Sequence, residues 1–282
     1  MPVTPIILKH CQGGPLPHGP LFDSHVHSQF SIDGHDSVAS LCQAALEGGL
    51  AGLCLAEHYD TEPSDAGYGR YDFHAIARAA AEASRACGGR LLVLVGAEVC
   101  YQPHFAPRIA GFLRECAPDF VLGSVHYVRG EFVMPGYFAR HPAEEAYERY
   151  FEAVEELATS GLCDALGHLD LAKRHGTGTC GPLDPRPYWP RIERILRLLV
   201  ERGVALEINT SGWRQAPREP YPGEAIVRRY AELGGTRITI GSDAHRADCV
   251  GRDIARAHEL ARRAGLTHAT RYIARRPELY PL

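Results

Sequence analysis

Seven short stretches of this 282-residue chain end in side chains that can bind metal ions or move protons. The first closes on Asp23-Ser24-His25-Val26-His27, the second on Glu57-His58, and the third holds Gly96-Ala97-Glu98. The fourth gives Gly123-Ser124-Val125-His126 and the fifth Gly167-His168-Leu169-Asp170. Glu207-Ile208-Asn209 and Gly241-Ser242-Asp243-Ala244-His245 complete the series. Imidazole and carboxylate together suit Zn, Fe or Mn better than a soft thiolate site would. Glu98 follows the apolar run Leu91–Val95, where an ionised carboxylate is costly unless it is paired or coordinated. Asp243 follows Ile238-Thr239-Ile240 in the same way. One strand-end histidine is ordinarily a satisfied polar residue. Six of the 15 histidines at such positions (His25, His27, His58, His126, His168 and His245) are more than a structural set needs. His74 and His258 in helical patterns, and His10, His18 and His141 in termini or loops, read as solvated.

Other chemistries lack their residues. The chain has no G-x-S-x-G elbow, no phosphate-cradling G-x-x-x-x-G-K-[ST], and no cysteine in a motif with a partnered histidine. Its nine cysteines are scattered singly, with Cys54, Cys100 and Cys163 in or beside apolar runs, which fits a reducing, cytoplasmic setting. A net charge of −4 argues against the basic surface that nucleic-acid binding uses. No stretch approaches the ~20 apolar residues of a membrane span, and Met1–Gly14 shows neither signal peptide nor anchor. The oligomeric state is not legible.

The elements that must position these groups alternate along the chain. Apolar runs at Gly19–His27, Gly52–His58, Arg90–Tyr101, Phe120–Val128, Cys163–Leu169, Val204–Thr210 and Arg237–Asp243 read as strands. Amphipathic patterns at Ser37–Glu47, Tyr71–Ala86, Pro107–Cys116, Pro142–Ser160, Trp189–Arg202, Gly223–Leu233 and Gly251–Ala264 read as helices. Ser37 has N-cap chemistry, and Gly48-Gly49, Gly88-Gly89 and Gly234-Gly235 are stop signals. The stretches 176–190 and 216–222 read as loops. Strand followed by helix seven times over predicts parallel βα units in one barrel-like domain, with a core from about residue 21 to 265. The metal-competent groups recur 28 to 42 residues apart, one βα unit each. A parallel barrel collects such groups at its C-terminal face. Residues two apart on a strand point the same way, so His25 and His27 can share the mouth, as can Asp243 and His245 if that strand stays extended.

These motifs resemble those of the PHP (polymerase and histidinol phosphatase) superfamily, and the similarity spans about residues 21 to 250. The resemblance implies an α/β fold, a distorted seven-stranded (βα) barrel with its active site at the C-terminal ends of the strands. It also implies up to three divalent metals. By motif, His25, His27, Glu98 and Asp243 would hold the first; Glu98 would bridge to a second held by His126 and His168. His58, His245 and Asp33 would hold the third, with His35 in reserve. Within the superfamily, Asp23–Gly34, Ala56–His58, Gly167–Arg174 and Leu206–Arg214 resemble stand-alone histidinol-phosphate phosphatases, enzymes of the penultimate step of histidine synthesis.

The expected substrate is thus a small phosphomonoester. Clustered cations lower the pKa of a bound water, orient it in line, and neutralise the phosphoryl oxygens. Arg174 and Arg214 are candidate forks for phosphate. Glu57 is a candidate for a substrate ammonium or for supporting a ligand. The leaving alcohol would take its proton from Asp243, His245 or a bound water, with Glu98 at the catalytic centre. Competing readings are a phosphodiesterase acting on nucleotides, and a non-catalytic metal-binding module.

Overall fold

The computed structural model describes residues 21–282. His10, His18, the Met1–Gly14 segment and the start of the first apolar run lie outside the described residues. The chain runs β1 (Phe22–Val26), α1 (Val38–Glu47), β2 (Gly52–Tyr59), α2 (Phe73–Ala86), β3 (Leu92–Cys100) and α3 (Ala106–Cys116). It continues with β4 (Phe120–Ser124), a small hairpin β5 (Tyr127–Val128) and β6 (Glu131–Phe132), α4 (Pro135–Arg140), α5 (Ala143–Ser160) and β7 (Ala165–Leu166). Then come α6 (Lys173–Cys180), α7 (Trp189–Arg202), β8 (Ala205–Asn209), α8 (Glu224–Glu232), β9 (Ile238–Gly241), α9 (Ile254–Arg263), β10 (His268–Ile273) and β11 (Arg276–Pro281).

Seven strands form one parallel sheet in the order β1-β2-β3-β4-β7-β8-β9. A parallel bridge between Val26 and Ala244 returns the last strand to the first and nearly closes the barrel. The Asp243 N–H donates to the His25 carbonyl and the His27 N–H to that of Ala244, both at 2.8 Å. The expected seven-stranded barrel is the fold observed.

Period-two patterning explains which groups face inward. On β3, Leu92 and Leu94 join the main core while Val93 and Val95 pack on the α1–α2 side. Parity therefore puts Glu98 on the inner face, directly across from His58 in the parallel register. On β1 the register shifts between Asp23 and Val26. Phe22 belongs to the inner core and Val26 to the outer one, so the irregularity turns both His25 and His27 inward.

Ser37 caps α1 by accepting from the Ser40 N–H, and Asp72 caps α2 through that of Ala75. Several expectations need correction. The stretch 176–190 is not all loop: α6 runs to Cys180, and its Gly176 sits under the Tyr147 and Phe138 rings where a larger residue would not fit. The expected last helix begins at Ile254 rather than Gly251. His258 is buried on α9, not solvated, and half-buried His141 pairs with Glu131 at 3.0 Å. The core also extends past residue 265. Hairpin β10–β11 closes the N-terminal end of the barrel, stacking Tyr272 on Phe120 and setting Tyr280 against Phe22. Arg275 anchors it to Asp164. No helix among the described residues is long and apolar enough to cross a membrane.

Candidate metal centre

The strand ends deliver nine side chains to one place. Glu98 stands at its centre, 1% exposed, and its two oxygens serve different neighbours. Oε2 lies 3.4 Å from His25 Nε2, 3.4 Å from His27 Nε2 and 3.0 Å from His58 Nδ1. Oε1 lies 2.8 Å from His168 Nε2 and 3.3 Å from His126 Nε2. Asp243 Oδ1 faces His25 Nε2 and His27 Nε2 at 3.6 Å each. Asp33 spans His58 Nε2 at 3.4 Å and His245 Nε2 at 3.0 Å. Asp33, not the exposed His35, occupies that position. The fold thus brings the nine side chains named by motif into one cluster.

Two of these residues arrive by a different route from the one expected. Strand β9 ends at Gly241, and Asp243 adopts φ +55°, a left-handed conformation uncommon outside glycine. Strand alternation therefore does not aim Asp243 and His245; a turn does. His245 still stacks on His27, ring centroids 4.3 Å apart. Strand β7 is likewise only Ala165–Leu166, and His168 stands in the turn after it.

The charges balance locally. Burial opposes a proton on His25, yet the carboxylates of Glu207, Asp243 and Glu98 outweigh it and hold its pKa well above the usual range. Burial drives His27 well down, helped by His245, His58 and His25. Glu98 and Asp243 are desolvated, which would raise them, but the surrounding imidazoles hold both carboxyls well below normal. His25 Nε2 and His27 Nε2 lie only 2.9 Å apart, both turned toward the same carboxylates. Ring nitrogens converging on shared carboxylate oxygens are a donor set made for cations. Among the described residues four groups of ligand atoms converge: His25–His27–Asp243, His58–Glu98–His126, His27–His58–His245 and, at the edge of the cluster, Asp60–Cys100–His126. The residues present therefore fit divalent metal ions.

A ring of supporting residues fixes the histidines. Glu207 Oε1 lies 2.7 Å from His25 Nδ1, and its Oε2 accepts from the His168 N–H at 2.7 Å, tying two ligand positions to one buried carboxylate. Such outer partners set the tautomer and orientation of a ligating imidazole. The sequence puts Glu207 in the strand-end series, on one face with Asn209, but assigns it no role; the fold supplies one. Asn209 and Ser211 donate to Asp243 Oδ2. Asp23 grips the Ser242 N–H and hydroxyl and the Gly251 N–H.

Of the substrate-binding candidates, Glu57 takes the supporting alternative and Arg214 braces a turn instead of facing phosphate. Glu57 is fully buried and accepts from Ser28 and Ser31, whose hydroxyl lies 3.1 Å from His27 Nδ1. It supports His27 and has no face toward a substrate. Arg214 donates to the Ser242 carbonyl at 2.7 Å and to Asp253 at 3.2 Å, so its guanidinium braces the turn before Asp243. Arg174 does line the cleft above the cluster, a space of about 390 Å³.

The barrel gathers His, Asp and Glu at its C-terminal mouth; residues 23–211 match the PHP domain, and the chain belongs to the PHP domain family. Within it, the chain is 34% identical over 238 residues to a Deinococcus radiodurans protein named "Probable histidinol-phosphatase", covering 82% of this chain and 88% of the relative. It is 28% identical to the Lactococcus lactis histidinol-phosphatase, covering 86% and 91%. The solved Lactococcus lactis histidinol phosphate phosphatase, in complex with Zn, L-histidinol and phosphate, superposes with a TM-score of 0.85 at 24% identity over 92% of this chain and 99% of that one. That superposition shows the shared fold.

Proposed function

We propose that this chain is a metal-dependent phosphomonoester hydrolase that releases phosphate from L-histidinol phosphate. The observation that carries the reading is the split of Glu98, one oxygen toward His25 and His27, the other toward His126 and His168. Relatives bearing the histidinol-phosphatase name over most of their length support the substrate. Zinc in the structural relative supports Zn as one occupant, with Fe and Mn also suited to these donors.

His25, His27, Glu98 and Asp243 would hold one metal, Glu98, His126 and His168 a second, and His58, His245 and Asp33 a third. Bound cations supply Lewis acidity, an acidified water and charge neutralisation for the phosphoryl group. Asp243, with Oδ2 held by Asn209 and Ser211, keeps Oδ1 aimed into the cluster. His245, beside Asp33, stands at the cleft with Asp243, and the departing alkoxide would take its proton from one of these two or from a bound water. Arg174 offers the cleft a guanidinium for phosphate oxygens. Eight free cysteines among the described residues support a reducing, cytoplasmic setting.

The test pairs metal analysis by mass spectrometry, on protein never exposed to chelator, with turnover. Two to three metal ions per chain are expected, with L-histidinol phosphate hydrolysed in preference to a generic diester and single-stranded DNA. Less than one equivalent at full activity removes the metal-cluster reading, and preference for either phosphodiester removes the monoesterase.

A further inference from the structure

Of the 30 lysines and arginines in the chain, only two, Lys9 and Lys173, are lysine. Lys173 opens α6 and is 1% exposed. A lysine ammonium has three donors, and all three are used here. Asp170 Oδ2 lies at 2.7 Å, Glu219 Oε1 at 2.9 Å and the Pro220 carbonyl at 2.8 Å. These acceptors come from two separate segments. Asp170 belongs to the turn that carries His168 out of β7, in which the Leu171 N–H donates back to the His168 carbonyl. Glu219 and Pro220 belong to the segment between β8 and α8, which Asp170 Oδ2 grips again by accepting from the Gly223 N–H at 3.1 Å. That segment is itself bridged to the end of β8. Tyr221 and Asn209 exchange both backbone hydrogen bonds, at 2.7 and 2.9 Å, and Lys173 Nζ lies 5.2 Å from the Tyr221 ring centroid. Asn209 is the residue that donates to Asp243 Oδ2. One buried ammonium thus joins the turn of His168 to the support of Asp243.

His168 needs such a brace more than its neighbours do. His25 has Glu207 on its Nδ1 and His27 has Ser31, but His168 Nδ1 is buried with no hydrogen-bond partner among the described residues. Without an outer partner on the ring, the backbone of the turn has to aim it. A planar guanidinium could not direct three donors at acceptors grouped around one nitrogen, which is a physical reason for lysine here in a chain rich in arginine. We propose that Lys173 is a positioning residue for metal binding: its ammonium locks the His168 turn to segment 219–223 and so fixes the second metal position relative to the first. Lys173 does not line the cleft, so it acts through the ligands. The inference rests on the metal-dependent phosphatase reading above and deepens it by naming what aims His168.

The test removes the clamp without leaving a charge behind. Lys173→Met alone strands the buried Asp170 carboxylate and can unfold the chain, so it is combined with Asp170→Asn. Glu219→Ala, at a half-exposed residue, removes one acceptor and spares the fold. Far-UV circular dichroism and Tm report folding. The visible absorption of Co(II)-loaded protein and metal retention against a chelator report ligand geometry. Steady-state kinetics on L-histidinol phosphate, with metal in excess, report the consequence. The clamp requires that the folded double variant shift its Co(II) bands and release one ion at about ten- to 100-fold lower chelator concentration than wild type. Its kcat should fall by about the same factor, while KM moves less than about threefold. Glu219→Ala should move the same readouts in the same direction, more weakly. A lower Tm with unchanged Co(II) bands, chelator resistance and kcat makes Lys173 a structural ion pair and overturns the proposal. A loss confined to KM overturns it too, assigning the effect to Arg174 in the cleft. If the double variant does not fold, Glu219→Ala decides by the same criteria. A wild type that binds metal but leaves L-histidinol phosphate intact removes the substrate alone, and the Co(II) and chelator comparison still decides the clamp. A wild type that binds no metal removes both.

Discussion

Glu98 has no spare valence. Each oxygen meets two or three imidazoles, and the side chain is buried too deeply for water to replace it. Glu98→Gln keeps the shape but turns one oxygen into an N–H₂ donor facing ring nitrogens, removing the anion that would neutralise two cations in the proposed site. The expected outcome is loss of at least one metal per chain and a fall in kcat/KM of at least about 100-fold, since even supporting partners of a metal site are worth 10–100-fold. Mass spectrometry and steady-state kinetics measure both, with the exposed His74→Ala as control. Activity within twofold of wild type would make Glu98 structural. Residue types and spacing pointed to Glu98 and the six histidines before any coordinates, because a charged group inside an apolar strand demands an explanation. They left Glu57 between two roles and put Arg214 at phosphate; the polar atoms of both are spent on Ser28, Ser31 and the Ser242 carbonyl, partners distant in sequence that only folding brings near.

At the scale of elements, α9 carries an acid-sensitive feature. His258 is buried, neither ring nitrogen has a hydrogen-bond partner, and it lies 6.2 Å centroid to centroid from Tyr280 of the closing hairpin. Burial, with help from Arg262, pushes its pKa down to about 4. The unfolded chain takes up a proton near pH 6.5, whereas the folded chain refuses it until about pH 4. The stability tied to a neutral His258 is therefore complete above about pH 6.5 and is lost as pH falls through that window. His258→Leu should remove this slope. Urea unfolding of wild type and variant from pH 7 to 4.5 should show the difference in unfolding free energy shifting by about 2–3 kcal/mol in favour of the variant, at roughly 1.4 kcal/mol per pKa unit. Parallel curves would show that His258 does not titrate with folding. The periodicity of α9 was legible, but its burying of a histidine was not, because the hairpin that covers it comes from a segment with no strong strand pattern.

The molecule as a whole rests on two apolar clusters, one within and around the barrel and one beneath α1 and α2, whose packing needs no metal ion. Stripping metals should therefore loosen the C-terminal mouth without dissolving the barrel. Ligands held at about 1,000 times Kd contribute about 4 kcal/mol, and at 2–4 °C per kcal/mol the Tm should drop roughly 8–16 °C on chelation. Far-UV circular dichroism should keep its helical signal, and metal replacement should restore the Tm. An unchanged Tm after complete stripping would separate the cluster from stability, and full unfolding would make it the core. From the sequence alone, the alternation of strand and helix determined the barrel, and strand-end His, Asp and Glu determined a donor set suited to metal ions, because both depend on local periodicity that the chain carries in itself. Tertiary structure alone decided which oxygen of Glu98 meets which histidines, that turns rather than strand alternation aim His168 and Asp243, and that Glu207 joins His25 to His168. It also tied Lys173 to Glu219 and Pro220. Those relations join residues tens to hundreds of positions apart, and a distance between strand ends exists only once the sheet has curved back on itself.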